Sequence, residues 1–110
     1  MDTKLRVLCL HGHNTTKEIM KFQMENFEST FGSLCHFTYI DSPMDCEQEP
    51  VAQLVKMGFK LPFKGWAELS KIPCDNRAEI NYKDTVTDSV KFLVNYLNEN
   101  GPFDAIFGFS

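Results

Sequence analysis

Residues 103–110, Phe103-Asp104-Ala105-Ile106-Phe107-Gly108-Phe109-Ser110, constrain the fold of this chain more than any other stretch. An apolar run leads directly into Gly-Phe-Ser. A short β-strand ending in Gly-x-Ser is the front half of a nucleophile elbow, in which a sharp strand-to-helix turn presents a serine Oγ above a parallel sheet; the full motif is Gly-x-Ser-x-Gly. The remainder of the chain must then provide the strands of that sheet and the crossovers that keep them parallel.

It does so in order. Arg6-Val7-Leu8-Cys9-Leu10 is a continuous apolar run bounded by His11-Gly12. It is too short for a helix and lacks alternation, as expected of a strand covered on both faces. Thr15 or Thr16 can cap a helix with Glu18 in its first turn. From about Thr16 to Phe31 the residues Met20, Met24, Phe27, Phe31 and Leu34 step by four and three, one helical face expected in the core. Gly32-Ser33 supplies a glycine stop. Cys35 to Ile40 reads as a second strand, closed by Asp41-Ser42-Pro43, with Asp41 expected to cap that turn. The whole strand–helix–strand unit takes about 35 residues, which suits a right-handed crossover.

Residues 42–81 contain Pro43, Pro50, Pro62 and Pro73 together with Gly58 and Gly65, so no long element is expected there beyond one or two helical turns from Val51 to Met57. A connection of this length is functional or mobile as a rule, and it lies beyond a strand's C-terminal end, where open α/β sheets bind ligands. Tyr82 to Asn100 is the clearest helix, with Val86, Val90, Leu93, Val94 and Leu97 on one stripe and Asn100-Gly101-Pro102 as its stop. Phe103 to Phe107 is the third strand. The fold class is therefore α/β: three parallel strands in the order 2-1-3, with flanking helices and a long loop.

At 110 residues the chain is a single domain with a modest core. Its net charge of −4, with acids and bases interspersed, excludes the basic stripe of a nucleic-acid or anionic-membrane binder. No apolar run approaches the ~20 residues of a membrane span, and the N-terminus does not read as a signal peptide. Cys9, Cys35, Cys46 and Cys74 show neither C-x-x-C pairing nor zinc-ligand spacing, so four reduced thiols, no metal and no cofactor are expected. A cytoplasmic location, extending to the nucleus, follows from the absence of targeting signals. No glycine-rich phosphate loop supports a nucleotide-binding or flavodoxin-like domain.

His11-Gly12, Asp41-Ser42-Pro43 and Gly108-Phe109-Ser110 all fall at the C-terminal ends of strands. With Leu8-Cys9-Leu10-His11-Gly12 at one end, Trp66 in the middle and Gly101-Pro102-Phe103-Asp104 before Gly108-Phe109-Ser110 at the other, the chain resembles the FSH family of serine hydrolases. Those are esterase- and thioesterase-type members of the α/β-hydrolase superfamily. The resemblance implies a partial α/β-hydrolase fold, one incomplete domain over 1–110, ending at the nucleophile. It implies Ser110 as nucleophile and the backbone N–H of His13 as an oxyanion donor. Gly12 and Trp66 are the implied substrate-binding positions, and the substrate is a small carboxylic ester or thioester. In this superfamily the triad acid and histidine follow the serine, so His11, His13, His36, Asp41 and Asp104 are expected to be structural or solvent-facing. A chain without those later residues is expected to be inactive by itself, either as part of a hydrolase or as a non-catalytic truncated paralogue that binds a partner.

Overall fold

β1 (Leu5–Leu10) forms the middle of a three-stranded parallel sheet, with β2 (Cys35–Ile40) on one side and β5 (Ala105–Gly108) on the other. The computed structural model describes residues 4–68 and 76–109, and the side chains of 76–82 lie outside the described set. Leu5 pairs with Cys35 through to Leu10 with Ile40, and Val7 with Ala105 through to Leu10 with Gly108. The strand order 2-1-3 expected from the sequence is thus the order observed. The pleat sends alternate residues of β1 to opposite faces. Val7 and Cys9 pack with Met20 and Met24, flanked by Phe37, Tyr39 and Phe107. Leu8 is fully buried.

The helix expected over 16–31 is two helices, α1 (Lys17–Gln23) and α2 (Glu25–Phe31). Met24, at φ −91° and ψ 2°, separates them, although the Met24 N–H to Met20 and Glu28 N–H to Met24 bonds carry the ladder across. The small bend changes which residues are covered. Ile19, Met20 and Met24 are buried, whereas Phe22, Phe27, Phe31 and Leu34 stay substantially exposed. Phe27 instead joins an aromatic cluster with Phe31, Phe37 and Phe107. Gly32 ends α2 in the right-handed region (φ −62°), not the left-handed cap that a terminal glycine predicts. Its need for glycine is steric, because a Cβ there would lie 2.6 Å from the Glu28 carbonyl oxygen.

Thr16 caps α1 by accepting the Ile19 N–H. The N–H of Lys17 is bonded to Asp41 Oδ1 at 2.8 Å. Asp41 therefore satisfies an orphan donor at the start of α1, correcting the expectation that it caps its own Pro43 turn. A carboxylate beside a helix N-terminus gains from the helix dipole, which the local turn does not offer.

The long connection is more ordered than its prolines suggest. It contains β3 (Met44–Asp45), α3 (Ala52–Lys56) and β4 (Lys64–Gly65), with β3 and β4 antiparallel. Lys64 N–H reaches the Thr15 carbonyl at 2.7 Å, Phe63 is buried, and Lys64 Nζ pairs with Asp45. Residues 69–75 lie outside the described residues.

α4 (Asn76–Asn100) begins before the Tyr82 expected for it. Arg77, Ala78 and Glu79 are good helix formers but carry no apolar stripe to mark the start. Its inward face also differs from the valine stripe: Ser89 is buried while Val90 and Val94 are exposed. Phe92 packs on Trp66, and Tyr96 stacks on Phe103. The end of α4 is tied to β1 by Arg6, whose guanidinium donates to the carbonyls of Asn100 and Pro102 and lies 4.5 Å from the Phe103 ring centroid. A cation among the last carbonyls of a helix offsets its negative end. β5 starts at Ala105 because Asp104 is occupied with Arg6, exchanging a backbone bond and accepting the Arg6 N–H on its carboxylate.

Candidate active site at the C-terminal edge of the sheet

The loop leaving β1, residues 11–15, is built around a buried histidine. His11 is 1% exposed. Its Nδ1 lies 2.8 Å from the Gly12 carbonyl oxygen, and its Nε2 accepts the Ser42 N–H at 3.0 Å. That pair of contacts places the ring proton on Nδ1. Trp66 covers the ring at a centroid distance of 5.2 Å and donates its indole N–H to the His11 carbonyl. Trp66 is fixed in turn by α4, since Ser89 Oγ donates to its carbonyl. The long connection and α4 thus clamp the end of β1 through one tryptophan.

Burial pushes the His11 imidazole below its ordinary value of 6.5, outweighing the Gly12 carbonyl and Asp41, which act the other way. A histidine whose folded-state pKa is lowered takes up its proton first in the unfolded chain. Its contribution to stability is then complete above about pH 6.5 and lost as the pH falls below that. Protonation also removes the lone pair that receives the Ser42 N–H. The thermal midpoint should drop between about pH 7.5 and 5.5, and His11→Asn should flatten that part of the profile. An unchanged slope in His11→Asn would assign the acid sensitivity elsewhere.

Two further residues set the loop's shape. Thr15 Oγ1 donates to the Gly12 carbonyl at 2.7 Å, so this oxygen receives both His11 and Thr15. Asn14 sits at φ 58°, in the left-handed region, which asparagine tolerates better than most residues. Its Nδ2 donates to the Glu49 carbonyl at 2.8 Å, and its Oδ1 is buried with no partner among the described residues. Asn14→Ala should lower unfolding free energy by about 1–3 kcal/mol in urea titrations, from the forced left-handed backbone and the lost bond. Asn14→Gly should lose less, because glycine accepts that backbone without strain.

His13 is half-buried. Its Nε2 lies 2.9 Å from Gln48 Oε1 and 3.6 Å from Cys46 Sγ. Next to this loop, Phe109 continues from β5 with its N–H bonded to the Leu10 carbonyl at 3.2 Å. Gly12, His13, Thr15, Gln23 and Phe109 line an open cavity of about 290 Å³. It sits where β1 and β5 end, the edge at which doubly covered sheets hold ligands. Of the residues expected from the sequence, Gly12 and His13 line this cavity and Phe109 delivers the chain to Ser110, which lies outside the described residues. Trp66 contacts the same loop from the side of His11. A Cβ at Gly108 would meet nothing within 4 Å. Gln23 went unnoticed in the sequence and carried no signal; Thr15 was a candidate helix cap, but Thr16 takes that role and Thr15 bonds the Gly12 carbonyl instead.

The family profile described as serine hydrolase (FSH1) matches residues 1–110. The chain belongs to this family. Among curated relatives, "Esterase FUS5" of Gibberella fujikuroi is 27% identical over 96% of this chain and 43% of its own length. "Hydrolase FUB4" of Fusarium oxysporum f. sp. lycopersici is 30% identical, covering 96% of this chain and 35% of its own length. "Esterase alnB" of Emericella nidulans is 28% identical over 96% and 32%. The chain therefore spans less than half the length of these curated relatives. No helix among its described residues is long and apolar enough to cross a membrane.

Proposed function

We propose that residues 1–110 form the nucleophile-bearing N-terminal part of a hydrolase that acts on small carboxylic esters or thioesters through Ser110. The observation that carries this reading is the cavity shared by Gly12, His13 and Phe109, placed one residue before Ser110 at the carboxyl edge of a parallel sheet. A Gly-x-Ser at that edge has the position of a nucleophile elbow. The oxyanion assignment has a geometric support. The Gly12 carbonyl is turned toward His11 Nδ1 and Thr15 Oγ1, and in a planar trans peptide the following N–H points the opposite way. The His13 N–H is thereby directed away from the buried histidine, as a donor to a developing oxyanion must be. Trp66 acts in this reading by holding the His11 carbonyl, and through it the loop.

The triad acid and histidine are supplied by sequence after Ser110. A cytosolic setting, extending to the nucleus, belongs to the same proposal and is supported by unpaired Cys9, Cys35 and Cys46. A second reading, a non-catalytic paralogue that binds a partner, is favoured by the exposure of Val90, Val94 and Ile106. A fluorophosphonate probe applied to the longest cellular polypeptide carrying residues 1–110 separates the two. Label on Ser110, lost in Ser110→Ala, supports the hydrolase. No label on that polypeptide, or label elsewhere, overturns it.

A further inference from the structure

We propose that Cys46 is a covalent-modification site for small, neutral α,β-unsaturated carbonyl compounds, in a second cavity that shares only the His13 wall with the first. This inference stands independently of Ser110. The second cavity, of about 250 Å³, is lined by His13, Cys46, Gln48 and Gly65 among others. Cys46 follows β3 directly, and its N–H is bonded to the Phe63 carbonyl at 2.8 Å, so the thiol is carried on fixed backbone. Its Sγ lies 3.6 Å from His13 Nε2, within hydrogen-bonding reach for sulfur. The imidazole is held on two further sides: Gln48 Oε1 is 2.9 Å from the same nitrogen, and a Cβ at Gly65 would be 3.3 Å from Nδ1. A side chain at position 65 would require the ring to shift by a few tenths of an ångström.

The thiolate is the reactive form of cysteine, and an adjacent imidazole is a standard means of generating it. Cys9 provides the contrast. It is fully buried, and burial followed by Glu28 raises its thiol to about 11, so it is inert. Glu47 and Glu68 also line the Cys46 cavity, beside an Asp45 that is paired with Lys64, and the excess of negative charge disfavours anionic reagents. This selects neutral electrophiles. The addition needs no oxidant and expels no leaving group. As Sγ bonds to the β-carbon, the thiol proton passes to His13 Nε2 and the alkene π pair moves onto the carbonyl as an enolate. The proton then returns to the α-carbon, leaving a thioether. The Gln48 amide can present either its oxygen or its NH2 to Nε2, and so accommodates both states of the ring.

The test is timed labelling of the whole chain with limiting N-ethylmaleimide or acrylamide, followed by peptide mapping. Cys46 is expected to react at least about tenfold faster than Cys35, which is also half-buried, because an imidazole placed to take the thiol proton speeds such steps by about 10²-fold or more. His13→Gln should reduce the Cys46 rate by about the same factor, and Gln48→Leu, at an exposed position, should reduce it in the same direction. Iodoacetate should modify Cys46 more slowly, relative to Cys35, than iodoacetamide does. Equal rates at Cys46 and Cys35 would overturn the proposal. So would an unchanged Cys46 rate in a folded His13→Gln, or in Gln48→Leu should the first variant not fold.

Discussion

Residues 1–110 by themselves should hydrolyse an activated ester such as p-nitrophenyl acetate no faster than their own Ser110→Ala variant. A serine hydroxyl is a weak nucleophile at neutral pH unless a positioned base removes its proton. The chain has three histidines, and each is engaged or placed elsewhere among the described residues. His11 is buried with both ring nitrogens engaged. His13 turns its Nε2 to Gln48 and the Cys46 thiol, and in the proposal above its proton exchange is with that thiol. His36 pairs with Arg6 in register, whereas Gly108 pairs with Leu10. That is four residues along β1, roughly 13 Å at the rise of a strand. Removing triad function from a serine protease leaves roughly 10³–10⁴-fold over water, and losing one of two oxyanion donors costs a further ~10²–10³-fold. Little measurable advantage remains. Turnover that disappears in Ser110→Ala, or fluorophosphonate label on Ser110 of the 110-residue chain, would show that a base has been overlooked within it.

The parallel core of the fold was readable because its signals are local. An unbroken apolar run at Arg6–Leu10, aromatic and β-branched residues at Cys35–Ile40, and the Asn100-Gly101-Pro102 stop each mark an element without reference to any other. What escaped was either too short or too distant to leave a pattern. The two-residue strands at Met44–Asp45 and Lys64–Gly65 have no periodicity to detect. Arg6 looked like the charged edge of a strand, yet it holds the end of a helix more than ninety residues away. Asp41 followed the local Asx-Pro habit on paper, and the neighbouring helix start proved the better electrostatic partner. The valine stripe of α4 failed for a different reason. Apolar spacing identifies a helix but does not say which part of the stripe is covered, and Trp66 meets Phe92 and Ser89 in place of Val90. At the site, His11-Gly12 and the run to Phe109 were legible as motifs. The purpose of the His11 imidazole, a buried hub for Gly12 and Ser42, was visible only once residues far apart in sequence had been brought together.

The second large effect concerns two aliphatic residues that face each other across a strand pair. Leu8 of β1 is in register with Ile106 of β5, yet Leu8 is fully buried and Ile106 is 57% exposed. Leu8→Ala removes a fully buried side chain from the middle strand, at about 3–5 kcal/mol. A small domain has roughly 5–15 kcal/mol in total, and exposed Val90, Val94 and Ile106 place this one near the lower end. Leu8→Ala should therefore abolish the cooperative transition in thermal or urea unfolding followed by circular dichroism. Ile106→Ala should change stability by only about 0.5 kcal/mol, as befits a side chain already in water. The comparison holds strand type and residue size constant and varies only coverage, so the difference reports burial directly. Comparable losses at the two positions would mean that the β5 face is covered in solution by another molecule, and sedimentation would then show an assembly larger than one chain.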